Sequence, residues 1–306
     1  MRLLVVGAGG QVGAKVVAAA SKENEVHGTY MTRRPPTGVA GSWLLDKTEA
    51  AQVAEVFSGV NPEVVVDTAA LHNVDYCESH PEEALAVNRD GTAHLADACR
   101  ERGAKYIFVS TDYVFDGVGA PYSEEATPRP LNAYGVSKLE GEKAALEHNP
   151  DTVVVRPSVI YSWVPPENAT GSSSGRPLNF GAWLAHQLAA KKELNIVTDQ
   201  ISSPTLADDL AGAILALVRS ESRGVFHAAG ATPVSRYEFS SIMARHLGLN
   251  EDLIHPISTP QLKQAAKRPV DSSLISDRIW GEVGYKMMEL DKALDVFTSQ
   301  SREGSR

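Results

Sequence analysis

Short apolar runs alternate with helical patterns through the first half of the chain: RLLVV (2–6), EVHGTY (25–30), SWLLD (42–46), EVVVD (63–67), KYIFVS (105–110) and TVVVR (152–156). Several are apolar at consecutive positions, as in strands buried on both faces, and the lengths between them suit crossover helices. The pattern predicts an α/β fold, a Rossmann-like doubly wound parallel sheet. The clearest crossover helix runs from Pro81 to Arg102, with proline in its first turn and Gly103 past its end. After Arg156 the pattern changes. Residues 162–177 are rich in Pro, Gly and Ser without periodicity and read as a mobile loop that could serve as a lid. A helix near 205–219, a strand at 224–229, and a helix opened by the capping box Ser235-Arg236-Tyr237-Glu238 and stopped at Gly248 complete the second half. We therefore expect a dinucleotide-binding Rossmann domain from 1–156 plus about 201–228, and a smaller, interleaved C-terminal substrate domain from 157–200 plus 229–298. The tail, 299–306, reads as disordered.

Composition narrows the classes. With 306 residues, 43% of them hydrophobic, the chain can bury a large core, and a net charge of −9 with dispersed Lys and Arg offers no face for nucleic acid or an anionic membrane. Its apolar runs fall short of the ~20 residues that span a bilayer, and the N-terminus lacks a signal-peptide layout, so a cytoplasmic protein is expected. Cys77 and Cys99 have no metal-type spacing and read as reduced thiols; no metal site is expected. Asn168-Ala169-Thr170 matches a glycosylation acceptor by chance.

Candidate chemistry begins at VVGAGGQVGAKVV, where Gly7, Gly10 and Gly13 fall three apart between the first strand and the first helix. Glycines allow the tight turn and close backbone approach, while the helix N-terminus offers unpaired N–H groups to a pyrophosphate. The spacing is G-x-x-G-x-x-G, with Val12 where the common dinucleotide pattern has its third glycine. An acidic residue at the end of the second strand would bond a ribose 2′-hydroxyl, but none occurs from Val26 to Leu45. Arg33 and Arg34 stand there instead, and their guanidinium groups suit the 2′-phosphate of NADP(H), with NAD(H) the alternative. Asp46 could meet the adenine edge or simply cap the following helix.

Tyr134 and Lys138 lie at i and i+4 in NAYGVSKLEGEKAALEH, a predicted helix, and so share a face. Thr111 ends the fifth strand, at the carboxyl edge where doubly wound sheets bind ligands. An ammonium ~4 Å from a phenol, at an effective dielectric of ~20, favours phenolate by roughly 4 kcal/mol before desolvation. A tyrosine pKa lowered by a couple of units is thus expected, with Tyr134 giving a proton and Thr111 bonding the reacting oxygen.

Taken together, GAGGQVG, TAALHNVDYCES, AVNRDGT, FVSTDYVFDG, PYSEEATPRPLNAYGVSKLEGEK, VVRPSVIY, VTDQISSPTLADDLA and KRPVDSSLI resemble the dTDP-4-dehydrorhamnose reductase family of extended short-chain dehydrogenase/reductases, nearly end to end. The resemblance implies a triad of Thr111, Tyr134 and Lys138, with Lys138 also holding the nicotinamide ribose. It further implies a phosphate turn at Gly7, Gly10, Gln11 and Val12, a strand end beside the cofactor at Ala69 and Ala70, and a supporting Asn88. Asp112 would sit beside the reacting carbon. Gln200, Ser203, Thr205 and Arg268 would lie on the substrate side, Arg268 toward a sugar-nucleotide diphosphate. The chain departs from the family pattern in three places. Val159 replaces a tryptophan that lines the sugar pocket, and His72 replaces a threonine, where it could touch substrate or simply pack. Lys15 stands where some members place an acidic metal ligand that bridges dimers, so a homodimer, if formed, would not be metal-bridged in that way.

The implied function is NADPH-dependent reduction of the C4 ketone of dTDP-4-dehydro-β-L-rhamnose, or of a related nucleotide 4-keto-6-deoxy sugar. Two alternatives stay open on sequence. One is a non-catalytic NADP-binding regulatory subunit similar to the methionine adenosyltransferase β subunit. The other is a different reductase, epimerase or dehydratase of nucleotide sugars.

Overall fold

The computed structural model describes residues 1–165, 179–262 and 264–303. Most of the loop expected at 162–177, with the Asn168 acceptor, lies outside the described residues. The strands in chain order are β1 (Arg2–Val6), β2 (Glu25–Tyr30), β3 (Gly41–Leu44), β4 (Val64–Asp67), β5 (Lys105–Val109), β6 (Thr152–Arg156), β7 (Ile160–Tyr161), β8 (Leu194–Val197), β9 (Ile201–Ser202), β10 (Thr205–Leu206), β11 (Gly224–His227), β12 (Val234–Ser235) and β13 (Ile254–Ile257). The helices are α1 (Gln11–Ala20), α2 (Ala50–Val60), α3 (Val74–Ser79), α4 (Pro81–Leu85), α5 (Gly91–Arg102), α6 (Ala133–His148), α7 (Phe180–Ala189), α8 (Ala207–Val218), α9 (Arg236–Leu247), α10 (Thr259–Leu262), α11 (Asp277–Val283) and α12 (Leu290–Glu303).

A seven-stranded sheet in the order β11-β6-β5-β4-β1-β2-β3, parallel throughout, forms a Rossmann-like α/β fold. The run of apolar residues in β1 explains why it sits in the interior of the sheet, beside the central β4. Leu3 and Val5 enter a cluster with Val16, Val17, Leu210 and Ile214 of α1 and α8, while Leu4 and Val6 point the other way, to Val53, Phe57 and Leu95 of α2 and α5. Each such side chain contributes ~1.5–3 kcal/mol by leaving water, so neither face of the strand tolerates a polar residue cheaply. Because β2 and β4 flank β1, the strand order reverses between β1 and β4, which opens a crevice at the carboxyl edge.

The second half builds its own core around Tyr161, Leu184, Phe239 and Phe297, with short ladders pairing β10 with β7, β12 with β9, and β13 with β8. The capping box at Ser235 and Glu238 forms as expected, and Gly248 ends α9 at φ 67°. Two expectations are corrected. The helix from Pro81 to Arg102 is interrupted by a π-helical turn at Ala86–Asp90, where a Cβ on Gly141 of α6 would overlap the Asn88 carbonyl oxygen; the wide turn sits where the two helices approach most closely. The tail is not disordered from 299 onward, because α12 continues to Glu303, its inner face anchored by the buried Leu294, Phe297 and Thr298.

Candidate active site

The turn after β1 is shaped by what its glycines must avoid. Gly7 adopts φ 77°, a left-handed conformation natural to glycine. A Cβ on Gly13 would overlap the Gly7 carbonyl oxygen, and one on Gly9 the Arg33 carbonyl oxygen. The turn therefore packs backbone to backbone against both α1 and the segment after β2. Gly10 is the N-cap of α1 and makes no side-chain cap bond, which leaves the first-turn N–H groups of Gln11 and Val12 without a capping side chain. The Nε2 of Gln11 is buried without a hydrogen-bond partner among the described residues. A turn with glycine at 7, 9, 10 and 13 and an orphaned amide beside it fit a pyrophosphate.

Arg33 and Arg34 are exposed beyond β2, and the Arg34 guanidinium lies 5.3 Å over the Tyr30 ring. Asp46 is committed locally: its Oδ1 accepts from the Thr48 N–H at 2.9 Å and the Thr48 hydroxyl at 2.7 Å in a turn before α2, whose N-cap is Glu49 and not Asp46. Ala69 lies against the glycine turn, since a Cβ on Gly7 would come 3.1 Å from its N, Cα and Cβ. His72 is exposed, its Nδ1 3.4 Å from the Ala70 carbonyl. Lys15 pairs with Asp208 of α8 at 2.9 Å, and the described residues contain no group of acidic, His and Cys side chains fit for a metal.

Thr111 follows β5 and caps a short 3-10 turn at Asp112–Val114, its Oγ1 accepting the Tyr113 N–H at 3.2 Å. Helix α6 starts at Ala133 because the Asn132 side chain accepts the Gly135 N–H at 2.8 Å, and Asn132 is itself tied to the Lys267 carbonyl. Gly135 has no room for a side chain, as a Cβ would overlap the Tyr113 carbonyl oxygen. That contact seats the first turn of α6 on the strand-end turn, with the Tyr113 and Tyr134 rings edge to face at 6.0 Å. The Thr111 hydroxyl reaches the Tyr134 phenol. Asn88 supports the arrangement from the π-helical turn: its side chain accepts the Leu71 N–H, donates to the Leu71 carbonyl, and donates to Ser137 Oγ at 2.9 Å.

The electrostatics differ from the simple pairing read from the sequence. Burial raises the Tyr134 pKa above that of a free tyrosine, and the nearby Asp112 raises it further, against a lowering hydrogen bond from Thr111. The Lys138 ammonium donates to the Val109 carbonyl at 2.7 Å and lies 3.9 Å over the Phe108 ring. Burial, helped by the cationic Lys47, pushes Lys138 down to about 7. The expected lowering of Tyr134 is thus reversed because desolvation outweighs attraction.

On the other wall, the Asp112 carboxylate is buried and accepts from Thr111 Oγ1 at 3.1 Å, Ser158 Oγ at 2.8 Å and Ser272 Oγ at 2.6 Å; its pKa is raised by burial despite these donors. Val159 sits at φ 39°, a strained conformation for a β-branched residue. The strain is fixed by Thr205, which donates its N–H to the Val159 carbonyl and its hydroxyl to the Ser158 carbonyl, while Ser203 donates its N–H to Ser158 Oγ. Val159 lines a cleft with Tyr113, Gln200, Arg236, Pro269 and Ser272. Gln200 Nε2 is spent on Thr259 and Gln264, and Arg268 bonds the Ala266 carbonyl at 2.7 Å and Asp75 at 3.0 Å.

Residues 1–302 match the family described as RmlD substrate binding domain. A dTDP-4-dehydrorhamnose reductase of Sinorhizobium fredii is 34% identical over 94% of this chain and 93% of its own length. The chain belongs to the dTDP-4-dehydrorhamnose reductase family. A probable low-salt glycan biosynthesis reductase, Agl14, of Haloferax volcanii is 33% identical over 96% of both chains. Among solved structures, a dTDP-4-dehydrorhamnose reductase of Bacillus anthracis in complex with NADP superposes with a TM-score of 0.82 at 27% identity, covering 98% of this chain and 99% of that one.

For a reductase-family site, sequence reasoning missed several contributors. Gly9 and Gly135 are needed for close approaches between segments distant in sequence, which spacing does not reveal. Lys47 and Asp67, 4% and 1% exposed, form a buried ion pair under Ala69. A lysine between apolar SWLLD and the next helix was the available signal. Arg236, noticed only as part of a capping box, lines the cleft with Tyr113, its guanidinium close enough to lower the Tyr113 pKa and stacked 4.8 Å over Phe180.

Proposed function

We propose that this chain is an NADPH-dependent reductase of the C4 ketone of dTDP-4-dehydro-β-L-rhamnose or a closely related nucleotide 4-keto-6-deoxy sugar, yielding the C4 alcohol. The observation that carries this reading is the convergence of the Thr111 hydroxyl and the Tyr134 phenol at the carboxyl edge of β5, above the buried Lys138 and beside a glycine turn shaped for phosphates. Family membership and the names of the relatives support it. The division into a cofactor domain (1–156 plus about 201–228) and a substrate domain (157–200 plus 229–298) belongs to the same proposal.

Gly7, Gly10, Gln11 and Val12 would hold the pyrophosphate, Arg33 and Arg34 the 2′-phosphate, and Ala69 and Ala70 the wall beside the nicotinamide, with Lys138 at its ribose. When bound, the nicotinamide supplies hydride to the carbonyl carbon. The protein's part is to place the carbonyl and deliver a proton. Thr111 has one hydroxyl hydrogen and competing acceptors, Asp112 and the phenol; turning toward a carbonyl oxygen would polarise it. Tyr134 donates its phenolic proton to that oxygen as it becomes the alcohol. The phenol is protonated at neutral pH, the form a proton donor needs, and because burial makes it a weaker acid than a free tyrosine, release of its proton depends on the charge that develops on the carbonyl oxygen.

The test is NADPH oxidation by purified protein against the nucleotide 4-keto sugar, with the product identified by mass. Tyr134→Phe should lower turnover by about 10²–10⁴-fold while leaving the unfolding midpoint near that of the parent. Equal rates in the two proteins, or no oxidation by the parent, would overturn the reading.

A further inference from the structure

One residue of the crevice wall has both its backbone polar groups, in two successive peptides, held by a single buried ion pair. The Ala69 N–H donates to Asp67 Oδ1 at 3.0 Å, and the Ala69 carbonyl accepts from Lys47 Nζ at 2.8 Å. Lys47 Nζ and Asp67 Oδ2 stand 2.7 Å apart, with side chains 4% and 0% exposed. All three ammonium hydrogens of Lys47 and both carboxylate oxygens of Asp67 are engaged. Lys47 also reaches Thr92 Oγ1 at 3.4 Å, and Tyr106 donates its hydroxyl to Asp67 Oδ2 at 3.0 Å. A buried ion pair is a poor device for stability, since desolvation offsets most of its attraction. What this one does supply is position.

The clamped residue is the one that touches the glycine turn, as Ala69 would lie 3.1 Å from a Cβ on Gly7. The same network continues toward α6. Thr92 donates to the Asn88 carbonyl at 2.9 Å, Asn88 holds both backbone polar groups of Leu71, and it donates to Ser137, whose hydroxyl bonds the Tyr134 carbonyl at 2.8 Å. Ala69 and Leu71 are thus fixed from below, and Ala70 is carried between them.

We propose that Lys47 and Asp67 are a positioning pair for the cofactor: they pin Ala69 against Gly7 and so set the width of the slot between the glycine turn and the end of β4. The inference rests on the reading of this crevice as a dinucleotide site. Neither residue need touch the cofactor. Their effect should therefore appear in binding and in the local mobility of 69–71, and leave sugar recognition alone.

The test uses the full chain and the double variant Lys47→Met/Asp67→Asn, which removes both charges together and leaves no unpaired ion in the core. Calorimetric NADPH binding should weaken about tenfold, with KM for NADPH rising and KM for the sugar nucleotide unchanged. In the unliganded protein, amide hydrogen exchange at Ala69 to Leu71 should accelerate while β1 and β5 keep their protection. A folded double variant with NADPH affinity and exchange at the parent's level would overturn the proposal. If the double variant loses its unfolding transition, Thr92→Val, which frees one arm of Lys47 and the Asn88 carbonyl, decides by the same two readings: a weakening of about threefold is expected, and unchanged values overturn it. Failure of the parent itself to bind NADPH would sink the dinucleotide reading, and the clamp with it; a parent that binds normally beside an unaffected variant sinks the clamp alone.

Discussion

The two walls of the crevice present different kinds of atoms. On the sheet side the groups left for a ligand are backbone N–H groups at the start of α1 and the ends of parallel strands, placed by the packing of whole elements. On the substrate side they are side chains already bonded to one another: Gln200 to Thr259 and Gln264, Arg268 to Asp75, and Asp112 to Ser158, Ser272 and Thr111. A ligand on the sheet side meets donors that need not rearrange. One on the substrate side must replace internal hydrogen bonds, so each contact contributes only the difference between two bonds. Changes to backbone shape on the sheet side should therefore outweigh side-chain changes on the other.

The largest effect should come from Gly13→Val. Its Cβ would meet the Gly7 and Ala8 backbone, which cannot yield without moving the turn. NADPH affinity should fall about a hundredfold, or ~3 kcal/mol, in a protein that still unfolds cooperatively. Affinity at the parent's level would break the comparison at its root.

Next is the pH dependence tied to Lys138, whose folded pKa of about 7 lies below its free value of 10.5. Below pH 7 both the folded and unfolded states carry the proton, and the folded state bears the full cost of a buried charge, ~1.4 kcal/mol per unit of difference. Between about 7 and 10.5 only the unfolded state binds the proton, so stability rises with pH. Lys138→Met abolishes that rise. It also leaves the Val109 carbonyl unpaired, a pH-independent loss of ~1–3 kcal/mol. The difference in unfolding free energy between variant and parent should thus favour the variant most at pH 6 and shrink steadily toward pH 10. A difference that does not change with pH would mean the lysine keeps an ordinary pKa.

Legibility in the sequence followed the same division. The central strands could be read because burial on both faces demands runs such as VVVD and KYIFV, and the glycine turn because its constraint is local. Tyr134 and Lys138 were found by their spacing, yet the sign of the tyrosine's shift was not, since that depends on how deeply the phenol is buried and where the ammonium points. Arg33 and Arg34 were visible as a missing acidic residue. The ladders of the second half join segments about 30 to 60 residues apart, so no local periodicity announces them. The pairing of Lys47 with Asp67 was not legible for a related reason: β3 and β4 are not neighbours in the sheet, and only the segment after β3 carries Lys47 to the end of β4.

The smallest effect sharpens the substrate side. Arg236 begins α9, its N–H donating to the Gln200 carbonyl at 3.0 Å, and among the described residues no carboxylate lies within ion-pairing distance of its guanidinium. It differs in this from Arg268, which would have to release Asp75 before meeting a ligand. With a contact to Tyr113 and a stack on Phe180 as its commitments, Arg236 can accept a sugar or phosphate oxygen at little internal cost. A charge-assisted bond of this kind contributes ~1.5–3 kcal/mol when made cleanly, and part of that is returned when Tyr113 loses its partner. Arg236→Met should accordingly raise KM for the nucleotide sugar by about three- to tenfold, leave NADPH binding unchanged, and exceed the effect of Arg268→Met on KM. Should Arg268→Met raise KM more, the internal ion pair is no obstacle to binding, and the contrast between a committed wall and a ready one fails where it is most exposed to test.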